Sequence, residues 1–109
     1  MKKVKDMFDL KNKVAIITGG GGLLGEKHAE ALAEFGCRTI LLDINELKAK
    51  KAAEIIQENF GIESFAVKCD ITNKEEIEKV RDVVFEKFGR IDILINNAAI
   101  DQVKNIPYD

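Results

Sequence analysis

The eight residues from Thr18 to Gly25, TGGGGLLG, include five glycines. Glycine gives up more backbone freedom on folding than any other residue, so such a run marks a place where side chains would be in the way. Gly20-x-Gly22-x-x-Gly25 has the spacing of a loop that brings bare backbone against a pyrophosphate and holds its charge with amide N–H groups at the start of a helix. Asp43 follows the last glycine by 18 residues, where an acid can accept hydrogen bonds from ribose hydroxyls. Other reactive groups are few. His28 is the only histidine; it lies one turn past the glycines with no orienting partner evident, and reads as a helix-surface or packing residue. Ser64 is the only serine and Tyr108 the only tyrosine. Cys37 and Cys69 have neither metal-binding nor redox spacing.

The flanking segments explain how these residues come together. Val14 to Thr18 is a short β-branched run that stops at glycine, as a buried strand does. Leu24 to Phe35 is rich in helix formers and closes at Gly36. Arg38 to Leu42 reads as a second strand, ending at Asp43. Glu46 to Phe60 is a helix with Ala49, Ala52, Ala53, Ile56 and Phe60 on one face. Ser64 to Cys69 is a third strand. Thr72 and Glu75 have the spacing of a capping box that opens a third helix, with Ile77, Val80, Val84 and Phe88 inward. Ile91 to Ile95 is a fourth strand. Each helix ends in a Phe-Gly pair, which predicts left-handed glycine C-caps. Pro107 marks a loop.

Strands alternating with helices, and apolar along their whole length, predict an α/β protein: a parallel sheet covered on both faces, in three αβα layers. Right-handed crossovers give the doubly wound strand order 3-2-1-4, with the ligand crevice at the carboxyl ends between strands 1 and 4. The glycine run falls there. In this topology the two cysteines sit at opposite ends of the sheet, on the order of 15 Å apart. A disulfide needs about 7 Å or less, so two free thiols are expected.

Length and charge set limits. A chain of 109 residues holds one domain, residues 1–109. A net charge of −2 gives no basic face for nucleic acid. The basic start, MKKVKDMFDLKNK, has no apolar run behind it, so neither a signal peptide nor a membrane span is expected. Reduced thiols fit a cytoplasmic protein.

The segments TGGGGLLG, LLDI, CDIT and FGRIDILINNAA together resemble the short-chain dehydrogenase/reductase family over roughly residues 8 to 101. The resemblance implies a Rossmann-type NAD(P)-binding domain and hydride transfer between NAD and a hydroxyl or carbonyl substrate. It implies that Gly19, Gly20, Gly21, Gly22, Leu23, Leu24 and Gly25 hold the pyrophosphate. Asp43 then takes the adenosine ribose, with Ile44 beside the adenine. Asp70 and Ile71 line the adenine pocket. Asn97, Ala98 and Ala99 lie near the adenosine ribose, and Asn96 ties neighbouring strands together. With an acid at position 43, NAD is expected in preference to NADP.

Two features depart from the family pattern. Its usual motif, T-G-x-x-x-G-x-G, has glycine where this chain has Leu23. Thr18, Gly19, Gly22 and Gly25 instead fit the T-G-x-x-G-x-x-G of the extended subgroup, which includes sugar-nucleotide epimerases and dehydratases. The longer DILINNAA match, from Asp92 to Ala99, points to the ordinary oxidoreductases. Family catalysis also uses a serine and a Tyr-x-x-x-Lys pair, and no such pair is present here. The chain is therefore expected to supply the cofactor-binding part, completed by a C-terminal half or a second copy, with no catalytic residue and an unidentified small-molecule substrate. The alternatives are an extended-type sugar-nucleotide epimerase or dehydratase, or a non-catalytic NAD-binding module.

Overall fold

The computed structural model describes residues 9–97. In chain order the elements are β1 (Val14–Thr18), α1 (Leu23–Glu34), β2 (Arg38–Asp43), α2 (Glu46–Phe60), β3 (Ser64–Lys68), α3 (Lys74–Phe88) and β4 (Ile93–Asn96). The four strands form one parallel sheet in the order β3-β2-β1-β4. The expected fold and strand order are what is found.

β1 pairs with both β2 and β4 and is buried along its whole length. Alternate side chains leave the sheet on opposite faces. Ile17 and Leu41 go to one face, where Ala29 and Ala33 of α1 and Ala49, Ala52, Ala53 and Ile56 of α2 pack on them. The alanines let two helices lie close to the sheet. Val14, Ile16, Ile40 and Leu42 go to the other face, against Val80 and Val84 of α3. Cys37 and Cys69 are buried free thiols. Burial, with Asp92 nearby, pushes the Cys37 thiol up to about 11, so it stays protonated and inert.

All three helix-closing glycines have left-handed backbone, with φ of 92° at Gly36, 65° at Gly61 and 74° at Gly89. Two details of α3 differ from expectation. The N-cap is Asn73, whose side chain accepts from the Glu76 N–H at 3.2 Å, and not Thr72. The Thr72 hydroxyl is already engaged: it donates to Asp70 Oδ1 at 2.6 Å. Ile77 is also 41% exposed. The inward row runs 80, 84, 88, and one turn earlier it reaches Glu76, whose Oε1 accepts from the Asp70 N–H at 3.4 Å.

β4 is an outer strand among the described residues, and both of its ends are fastened to β1. At the amino end, Asp92 Oδ2 accepts from the Val14 N–H at 2.9 Å, while Arg90 grips the same carboxylate with two bonds of 2.8 Å. Chiefly because of the Arg90 hydrogen bond, the Asp92 carboxyl is held down at about 2. At the carboxyl end, Thr18 Oγ1 accepts from the Asn97 N–H at 2.9 Å.

Candidate functional site

Parallel pairing brings the chemistry-bearing residues level. Thr18 is in register with Leu42 on one side and Asn96 on the other, and Asp43 with Lys68. The glycine loop, Asp43 and the Asn96-Asn97 pair therefore gather at the carboxyl edge, where β1 has one neighbour on each side. That edge is where open α/β sheets bind ligands.

The loop leaves β1 with Gly19 at φ 67°, a left-handed turn that favours glycine. Its next three amides are all spent on the protein. The Gly20 N–H donates to Leu42 O (3.0 Å), the Gly21 N–H to Asp43 Oδ2 (2.9 Å) and the Gly22 N–H to Gly19 O (3.1 Å). Close packing accounts for three of the glycines. A Cβ on Gly20 would come within 2.6 Å of Leu41 Cβ, and one on Gly21 within 2.8 Å of both Asp43 Oδ2 and Lys48 Cβ. On Gly25 it would overlap the Gly19 carbonyl oxygen. Gly22 differs: a Cβ there meets nothing closer than Gly19 O at 3.4 Å, and its φ of −83° suits any residue. Much of the glycine content thus serves the turn itself, leaving Gly22 as the open position.

Gly22 is also the N-cap of α1, and no side chain caps that helix. α2 and α3 begin conventionally, on the Asn45 and Asn73 side chains. In α1 the first amide to bond back is Glu26, to Gly22 O at 2.9 Å. The amides of Leu23, Leu24 and Gly25 precede it, at the positive end of the helix dipole. Such a terminus can hold a phosphate. Leu23 and Leu24 are themselves exposed, as is Ile44 just past Asp43.

Asp43 is half-buried, with Oδ2 on the Gly21 N–H and Oδ1 on the Asn45 N–H, each at 2.9 Å. Each oxygen keeps a lone pair for another donor. Asp70 Oδ1 accepts from the Thr72 hydroxyl and, at 2.9 Å, from its N–H. The hydroxyl bond, then the backbone one, lowers the Asp70 pKa. Ile71 follows, half-buried. The Thr18 hydroxyl donates toward Asn96 Oδ1 at 3.1 Å or Ile95 O at 3.4 Å, so Asn96 does link β4 to β1. Ala98 and Ala99 lie outside the described residues. His28 is half-buried in α1, and Ser64 is buried with its hydroxyl 2.8 Å from that of Thr39. Among the described residues no helix is long and apolar enough to cross a membrane, and no group of three or more His, Cys, Asp and Glu residues could hold a metal ion.

Sequence reasoning passed over Thr18 as a fastening group and Asp92 as the other. Arg90 and Asp92, two residues apart at the start of a strand, were the available signal. Lys48 and Lys50 are both exposed; Lys50 is paired with Glu46 at 3.0 Å, and the Lys48 Cβ lies beside Gly21.

Known proteins share this fold. The 7α-hydroxysteroid dehydrogenase of Escherichia coli K12 is 39% identical over 93 residues, which make up 85% of this chain and 36% of that protein. A solved NAD+-bound xylitol dehydrogenase superposes with a TM-score of 0.80 at 38% identity, covering 84% of this chain and 35% of that one. An NADPH-dependent 3-quinuclidinone reductase from Rhodotorula rubra gives 0.78 at 34% identity, covering 86% and 35%. The chain spans about a third of the length of the curated relatives it matches. Residues 13–108 match the family model for short chain dehydrogenases, and the chain belongs to that family.

Proposed function

We propose that this chain forms the dinucleotide-binding part of an NAD(P)-dependent oxidoreductase that interconverts a hydroxyl and a carbonyl group. The observation that carries this reading is the uncapped start of α1. Three amides at the positive end of a helix sit at the sheet's carboxyl edge, beside an acid at the end of β2. A nicotinamide dinucleotide, when bound, supplies the hydride donor or acceptor. The residues present fit such a group: the Leu23, Leu24 and Gly25 amides would hold its pyrophosphate, and the open side of Gly22 lets it come close. Asp43 would take the adenosine ribose through its remaining lone pairs, with Ile44, Asp70 and Ile71 around the adenine and the Asn97, Ala98 and Ala99 segment by the adenosine ribose.

Asp43 also favours NAD over NADP. A 2′-phosphate would lie against its carboxylate, and like charges about 4 Å apart cost on the order of 1–4 kcal/mol in this range of dielectric. That is roughly fivefold to several hundredfold in affinity. The relatives include proteins named for each cofactor, so the choice rests on Asp43.

Paired fluorescence titrations with NADH and NADPH test both statements. Gly22→Asp supplies the missing cap, with a carboxylate where the pyrophosphate should approach. The variant should melt no lower than the parent yet lose NADH binding. Full NADH affinity in folded Gly22→Asp would remove the α1 terminus from the site. Equal affinity of the parent for the two cofactors would remove Asp43 as the discriminator.

A further inference from the structure

The three glycine-loop amides before α1 are fastened in three different ways: Gly20 to the β2 backbone, Gly22 back onto Gly19, and Gly21 to the Asp43 carboxylate. Only the middle fastening depends on a side chain. Gly21 is closely surrounded as well: a Cβ there would lie 2.8–2.9 Å from Asp43 Oδ2, Lys48 Cβ and Ala49 N. The carboxylate is itself fixed from the other side, where the Asn45 N–H holds Oδ1 at 2.9 Å. Asn45 in turn caps α2 through Lys48 N–H at 3.1 Å. A continuous chain of hydrogen bonds thus runs from the start of α2, through Asp43, to the loop that opens α1.

We propose that Asp43 is a positioning residue for the pyrophosphate site: it holds the glycine loop in the shape that aims the α1 amides outward, separately from any contact it makes with a ribose. The inference rests on the dinucleotide reading and adds a second role to one of its residues. The two roles predict opposite signs for a ligand that has phosphates but no ribose. If Asp43 acted only through its charge and the ribose, removing it would take a negative charge away from a polyanion and tighten binding. If it positions the loop, removing it weakens binding by about threefold to tenfold, the range for one hydrogen bond.

The probe is inorganic pyrophosphate, measured by its displacement of NADH from the 109-residue chain, with thermal melts run alongside. Amide hydrogen exchange at Gly20, Gly21 and Gly22 is followed by NMR in the ligand-free chain. Asp43→Ala should bind pyrophosphate about threefold to tenfold more weakly and speed exchange at Gly21 more than at Gly20. Asp43→Asn keeps one acceptor oxygen, which can face Gly21 only if its NH2 meets the Asn45 N–H, so it should recover pyrophosphate binding and Gly21 protection only in part. Unchanged or tighter pyrophosphate binding by Asp43→Ala overturns the proposal, as does unchanged Gly21 exchange. If the parent binds NADH but pyrophosphate does not displace it, the positioning role falls while the dinucleotide reading stands. If the parent binds neither, both fall.

Discussion

Gly25→Ala offers a sharp test of the loop geometry, because two principles disagree about its outcome. Gly25 lies in the first turn of α1, where alanine is intrinsically favoured over glycine by about 1 kcal/mol. The structure opposes that gain. The new methyl would overlap the Gly19 carbonyl oxygen and come within 2.9 Å of the Gly19 carbonyl carbon and 3.0 Å of Gly20 Cα. All three atoms are backbone, in a turn fastened at Gly20, Gly21 and Gly22, so no side chain can swing aside. Overpacking of this kind costs typically 1–3 kcal/mol, and the immovable neighbours put it at the top of that range. The net expectation is a loss of about 2 kcal/mol, or about 8–16 °C in Tm for a domain of this size. NADH affinity should fall with it, since relief requires moving the loop. Gly22→Ser is the control: its Cβ makes only an ordinary contact with Gly19 O at 3.4 Å and its hydroxyl supplies the missing cap, so it should stay within about 0.5 kcal/mol of the parent or exceed it. Urea denaturation and NADH titration of both variants decide the matter. A Gly25→Ala chain as stable as the parent, with unchanged affinity, would mean that the α1 start does not pack on Gly19 as described.

Other expectations concern charge and activity. The Asp92 carboxyl has a native pKa of about 2, below its unfolded value, so its stabilising contribution is complete above roughly pH 4 and is lost as pH falls from there toward 2. The difference in Tm between the parent and Asp92→Asn should therefore shrink over that interval; a constant difference would show that the Arg90 and Val14 bonds do not govern it. Lys48→Ala should weaken NADPH binding about threefold to tenfold and leave NADH nearly unchanged, because Lys48, whose Cβ lies beside Gly21, carries an exposed positive charge in the first turn after Asp43; an equal loss for both cofactors would make it a packing residue. The 109-residue chain should show no NAD-linked turnover with secondary alcohols or sugar alcohols at ordinary enzyme rates of about 1 s⁻¹ or more. Its one serine is buried on Thr39 and it contains no Tyr-x-x-x-Lys. Sustained turnover would place the catalytic groups elsewhere.

The fold was legible because local signals agreed. Largely apolar strands, helices ending at Phe-Gly, and an alanine-rich face on α2 each pointed to the same sheet. Signals shared by two neighbouring residues were harder to read. Thr72 and Asn73 are both good caps, and only the Asp70 hydrogen bond to the Thr72 hydroxyl assigns the role to Asn73. The edge of the α3 core face was misread for a related reason, since Ile77 is apolar but lies beside the buried row and not in it. In the site, the identity of the loop and of Asp43 could be read from spacing. What each glycine is for could not, because Leu41, Asp43 and Lys48 reach the loop from elements 20 or more residues away. The same holds for Thr18 and Asp92, whose partners lie 78 or 79 residues off.

That separation has a consequence for the order in which the protein assembles. Val14 pairs with Arg38 on one side of β1, while on the other side Thr18 reaches across to Asn97. Closing a loop of 79 residues costs roughly 1 kcal/mol more chain entropy than closing one of 24. β1, β2 and β3 can form a three-stranded unit with α1 and α2 through short connections. β4 must wait for the whole of α3 and then, among the described residues, joins a single neighbour. The fastenings at Asp92 and Thr18 bear directly on that late step, one at each end of the strand. The Asn97 side of the crevice is therefore expected to be completed late in folding. The glycine loop and Asp43, by contrast, belong to the part already in place.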